Sequence, residues 1–135
     1  MRKFDHPFED NLVMKLSFEF ALKVIDYVEI LEQQKKFVIA NQLLKAGTSI
    51  GANIREAQNA ESKSDFIHKF KIAAKEADET QYWLLLCQHA ENYPNPANLL
   101  DDILIIQKTV NKIISTSKRN IGLKSFLTPI MLIFK

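Results

Sequence analysis

Cysteine, glycine, proline and histidine are all scarce in this chain, and each shortage excludes something. Cys87 is the one cysteine among 135 residues, so an internal disulfide and a cysteine-rich zinc site are excluded. On a helical pattern Cys87 reads as a small buried apolar group. With three glycines and four prolines, few positions can break a helix. Pro7, Pro94 and Pro96 fall at or between helical patterns. The three histidines are scattered, whereas a dinuclear carboxylate bundle needs Glu-x-x-His on two helices. Asp65-Phe66-Ile67-His68 is a single distant relative of that motif and reads as a helix cap followed by a surface imidazole. No metal and no cofactor are expected. Gly47-Thr48-Ser49-Ile50-Gly51 lacks the lysine and spacing of a phosphate loop, and no strand precedes Ser49 to form a nucleophile elbow. Catalytic residues are therefore not expected. Met1 to Asp10 is charged and has no apolar signal core. The apolar run Ser125 to Phe134 is far shorter than the ~20 residues a membrane span requires. A cytoplasmic protein that does not enter a membrane is the expectation. Acids are also missing from one region: none follows Asp102, whereas Lys108, Lys112, Lys118, Arg119, Lys124 and Lys135 do.

What is present is helical. The chain is one domain in length, with 47% hydrophobic and 25% charged residues. Apolar stripes at steps of three and four predict four helices. The first spans about Glu9–Gln33, with Leu12, Leu16, Phe20, Val24, Tyr27 and Leu31 as its stripe, and Asp5 or Asp10 assisting its start. The second spans about Phe37–Asn59 on Ala40, Leu43, Gly47, Ile50, Ile54 and Ala57. The third starts near Ser62 or Ser64 and runs to about Asn92 on Phe66, Phe70, Ala73, Ala77, Thr80, Leu84 and Cys87. Ser62-Lys63-Ser64-Asp65 resembles a capping box. The fourth spans about Ala97–Ser117 on Leu99, Ile103, Ile106, Val110 and Ile113. Short connections then give an all-α, antiparallel up-down-up-down four-helix bundle over residues 1–119. Residues 120–135 form an apolar C-terminal tail, docked or disordered.

Gly47 and Gly51 stand one turn apart on the second helix. Each costs roughly 1 kcal/mol relative to alanine inside a helix, so close helix packing is the expected compensation. Phe66, Phe70, Tyr82 and Trp83 are candidates to fill the notch. Ser49, Asn53 and Glu56 share a face beside the same stripe. An interhelical polar network would pair Glu56 with Lys71 or Lys75, and Asn53 with Gln81, Tyr82 or a backbone group. A catalytic alternative would place a site at Asn53, Glu56 and Glu76 and would need an open polar pocket there.

The ordered words Gly47-Thr48-Ser49-Ile50-Gly51-Ala52-Asn53-Ile54-Arg55-Glu56-Ala57, Ser62-Lys63-Ser64-Asp65-Phe66, Lys71-Ile72-Ala73-Ala74-Lys75-Glu76-Ala77 and Tyr82-Trp83-Leu84 resemble the four-helix-bundle family of bacterial 23S rRNA intervening-sequence proteins. The resemblance covers about residues 9–117 and is strongest over 42–86. It implies a left-handed bundle assembled into a ring-like homo-oligomer, a pentamer, without catalytic activity. It also marks Ser49, Asn53 and Glu56 as signature residues. A related branch, the accessory proteins of diversity-generating retroelements, forms a basic pentameric barrel that binds RNA and a reverse transcriptase. RNA is thus the candidate ligand, with Lys108, Lys112, Lys118 and Arg119 as the candidate phosphate contacts. The rival expectation is a protein-interaction scaffold that binds no nucleic acid.

Overall fold

The computed structural model describes residues 6–126, with side chains described as far as Asn120. Four helices follow in order: α1 (Leu12–Gln33), α2 (Phe37–Ala57), α3 (Lys63–His89) and α4 (Ala97–Phe126). Each packs on its neighbours in sequence, and α1 closes the bundle against α4. Lys23 of α1 pairs with Asp102 of α4 at 2.8 Å. Lys69 of α3 pairs with Glu56 of α2 at 3.0 Å. These cross-links fix an antiparallel register, the all-α arrangement the periodicity predicts.

Helix starts are set by side chains that accept from otherwise unsatisfied backbone N–H groups. Asn11, rather than Asp5 or Asp10, caps α1 by accepting from the Met14 amide at 3.2 Å. Ser62 caps α3 by accepting from the Asp65 amide at 3.0 Å. Asp65 reaches back to the Glu61 amide at 3.2 Å, one residue beyond the reciprocal bond of a standard capping box.

The turn between α1 and α2 contains neither glycine nor proline, yet it is sharply defined. Lys35 adopts φ +62°. Its amide donates to Glu32 O, and the Lys36 amide donates to Leu31 O, both at 2.9 Å. That pair of bonds is a Schellman motif with lysine at the left-handed position that glycine usually occupies. Lys35→Gly is expected to stabilise the fold by about 1 kcal/mol, and thermal unfolding followed by circular dichroism checks it.

The core is built from Phe20, Leu31, Leu43, Ile50, Ile54, Phe70, Leu84 and Ile103, all essentially inaccessible. In the first turns of α1 it departs from the expected stripe. Leu12 is 66% exposed, and Val13, Met14 and Ser17 are buried instead. Successive steps of four residues advance about 40° each beyond a full turn, so a Leu12–Leu16–Phe20 line drifts off the buried face. Ser17 belongs to that face because its small side chain lies against Gly51. Its hydroxyl is satisfied by donating to Met14 O at 3.2 Å.

The Gly47/Gly51 notch is filled by α1, not by the aromatic residues of α3. A Cβ on Gly47 would meet both Val24 methyls at 3.0 Å, and one on Gly51 would meet Ser17 Oγ at 3.3 Å. Helix α4 continues through Phe126, past the expected stop near Ser117, because no proline occurs between Ala97 and Pro129. Residues 120–126 of the expected tail are therefore helical. The remaining apolar residues, 127–135, lie outside the described residues.

Candidate functional site

On α4 the residues 108, 112, 115 and 119 recur at steps of four, three and four and so share one face. Lys108, Lys112 and Arg119 are exposed there, and Lys118 is exposed one residue to the side. None of the four takes part in an ion pair among the described residues. Because no acid follows Asp102 in the sequence, α4 offers none of them an acid within one helical turn.

Their neighbours on α3 follow from the register. Gln107 Nε2 donates to Asp78 Oδ1 at 2.9 Å and to Gln81 Oε1 at 3.1 Å. From that anchor the helices run in opposite directions. Lys71, two turns from Asp78, and Lys118, three turns from Gln107, come to line the same groove, with Lys75 at its outer rim, whereas Lys112, five residues from Gln107, is turned about 140° away toward the outer face of α4. Lys71 and Lys75 are both exposed. They do not partner Glu56, because Lys69 does. The expected pairing of either lysine with Glu56 is therefore not made. Their four-residue spacing, which repeats that of Lys108 and Lys112, was the signal available.

The bundle is electrically bipolar. Residues 22–45 and 78–106, at the end holding the α1–α2 and α3–α4 turns, carry eight acids against four lysines. Residues 6–21, 46–77 and 107–126, at the other end, carry eleven Lys and Arg against seven acids. A net charge of +2 for the whole chain conceals this separation, because charges distant in sequence gather only when the helices fold back on one another.

The signature residues of α2 act locally. Ser49 Oγ donates to Lys45 O at 2.6 Å, and Asn53 Nδ2 donates to Ser49 O at 2.8 Å. Both bonds return to the preceding turn of the same helix, a habit of short polar side chains. Only Glu56, through Lys69, joins two helices, so the expected interhelical network reduces to one ion pair. Burial pushes the Glu76 carboxyl above its ordinary range, and nearby Glu79 pushes it the same way.

A cavity of about 500 Å³ lies elsewhere. Lys23, Asp26, Tyr27, Asp101 and Asp102 contribute to its walls at the acidic end. Asn53, Glu56 and Glu76 do not line it. Tyr27 is held there by donating its hydroxyl to Pro94 O at 2.6 Å. Burial raises its pKa, and adjacent Cys87 adds to the rise. Cys87 is itself buried, which raises its thiol pKa and keeps it a packing residue. Among the described residues no group of His, Cys, Asp and Glu could hold a metal ion, and no helix is long and apolar enough to cross a membrane.

Comparison with known proteins places this arrangement in context. The family model for 23S rRNA-intervening sequence proteins matches residues 9–115. A crystal structure from Bacteroides thetaiotaomicron, of a protein of unknown function from the S23 ribosomal protein family, is 43% identical. It aligns over 76% of this chain and 97% of that one, with a TM-score of 0.72. No curated protein matches.

Proposed function

Because the chain belongs to the family of 23S rRNA-intervening sequence proteins, we propose that it is a non-enzymatic, homo-oligomeric helical bundle that binds RNA through phosphate contacts. One observation carries the reading: four exposed cations of α4, Lys108, Lys112, Lys118 and Arg119, lie without ion-pair partners among the described residues. An unneutralised row of this kind suits a polyanion, since each phosphate it meets releases condensed counterions. Ser49, Asn53 and Glu56 are assigned to the bundle's own structure, because their bonds close on α2 and on Lys69.

Self-association is supported by apolar side chains left on the outside. Val38 is 77% exposed, Tyr82 57% and Ile105 51%. They lie on three different helices, which suits contacts between unlike faces of successive copies, and such contacts form a ring when the rotation between copies closes. The five-copy ring that the family resemblance implies is the assembly proposed, and native mass spectrometry gives the subunit count. The reading places the chain in the cytoplasm with its RNA.

The test is a binding titration of structured RNA across a salt series, with albumin as control. Affinity that falls steeply with salt and varies little with sequence supports the proposal. RNA held no better than by albumin at low salt ends it. In that event the exposed apolar side chains favour the second reading, a protein-interaction scaffold that binds no nucleic acid.

A further inference from the structure

We infer that the basic half of the α3/α4 groove is a contact surface for double-stranded RNA, in which Lys71 and Lys75 of α3 join Lys118 of α4. The inference rests on the RNA reading above and narrows it to a surface, an end of the bundle and a class of RNA.

Position comes first. Lys118 lies eleven residues beyond Gln107, and Lys71 seven residues before Asp78, which leaves the two about 6 Å apart along the groove axis. Packed helix axes are 8–10 Å apart, so both ammonium groups can reach one strand of phosphates. Lys75, one turn from Lys71, extends the same basic surface outward. The spacings Lys71–Lys75 and Lys108–Lys112 are both i,i+4, at which like charges repel. Two such pairs on adjoining helices, with no ion-pair partner among the described residues, are a local disadvantage that a polyanion removes.

Orientation comes second. Toward the other end of the bundle Asp78 stands in the groove, Glu79 follows it on α3, and Asp101 and Asp102 occupy the same end of α4 on its α1 side. A polyanion is repelled there, so the contact is confined to the half nearer the α2–α3 turn.

The class of RNA follows from what the basic half lacks. Single strands are held by stacking bases on aromatic side chains, whereas duplex RNA is met through its phosphates and 2′-hydroxyls, largely by shape. Neither 71–75 nor 108–119 contains an aromatic residue. Exposed Tyr82 pairs edge-on with Trp83, whose indole donates to Glu79 at 3.2 Å, so that pair belongs to the acidic end. Phe66 and Phe70, closest in sequence to Lys71, pack against one another at 4.7 Å between centroids.

The experiment compares a perfect RNA hairpin with an unstructured oligouridine of equal length, both titrated against the full chain. Two double variants accompany it: Lys71→Gln/Lys75→Gln and, at the opposite end, Lys35→Gln/Lys36→Gln. Circular dichroism confirms that both fold. The expected result is a hairpin preference of about tenfold or more. It should be weakened several-fold in Lys71→Gln/Lys75→Gln, with the salt slope falling by about one for each lysine removed, and left unchanged in Lys35→Gln/Lys36→Gln. Oligouridine bound as tightly as the hairpin overturns the duplex assignment. Equal loss in the two variants, or loss in neither, overturns the location. Both results leave RNA binding itself standing, whereas binding of neither RNA above the albumin control removes the inference together with its parent reading.

Discussion

Gly47→Leu is expected to destabilise the fold by about 3 kcal/mol, the upper end of what overpacking a close-packed core costs. Even a lone Cβ at this position would stand 3.0 Å from two Val24 methyl carbons. Val24 is completely buried and Gly47 lies in the same interior, so neither side chain can turn outward. Leucine adds three further carbons in the direction of α1, and the two helices must separate to admit them. The gain in helix propensity on losing glycine offsets only about 1 kcal/mol. Gly51→Ala is the informative contrast. Its nearest neighbour is the Ser17 hydroxyl at 3.3 Å, a group that can rotate aside. Here clash and propensity should nearly cancel, leaving the change within about 1 kcal/mol. Urea unfolding of the two variants checks both values. If Gly47→Leu proves as stable as the parent, α1 and α2 do not approach as closely as described.

Replacing Lys108, Lys112, Lys118 and Arg119 together with glutamine is expected to remove about a hundredfold of RNA affinity at low salt. Four phosphate contacts give a salt slope near 4, which over a fourfold change in salt is itself roughly a hundredfold. Wild-type binding should therefore weaken steeply between 50 and 200 mM salt, and the variant should show a slope lower by about four. Glutamine keeps nearly the same helix propensity as lysine and arginine. The four side chains are exposed, so unfolding should shift by no more than about 0.5 kcal/mol. An affinity and slope unchanged from wild type would assign any RNA contact to another face.

The bundle was legible in the sequence because a buried helix face must repeat at steps of three and four, and α2, α3 and α4 obey that rule over most of their length. It misled at the end of α4, which runs on to Phe126, and at the start of α1. There a polar residue, Ser17, is buried and an apolar one, Leu12, is exposed, because the partner face across Ser17 is a glycine. The end of α1 at Gln33 matches the expectation, although the turn that ends it carries no ordinary signal: Lys35 occupies a left-handed position usually filled by glycine. The α4 cations were legible from the run of sequence without acids. Lys71 and Lys75 were not, because which lysine meets Glu56 is settled by the rotation of α3 against α2, and Lys69 is the one turned inward.

Periodicity, the scarcity of breakers and the ordered signature words determined the number of helices, their order and the family, since each is a property of one segment or of segments in succession. Only the tertiary structure decided which helix fills the glycine notch, which lysines remain unpaired, and that acids and cations separate to opposite ends. Those facts depend on how residues far apart in the chain are rotated and levelled against each other. A helical stripe specifies the face it buries but not the side chain that will stand opposite it.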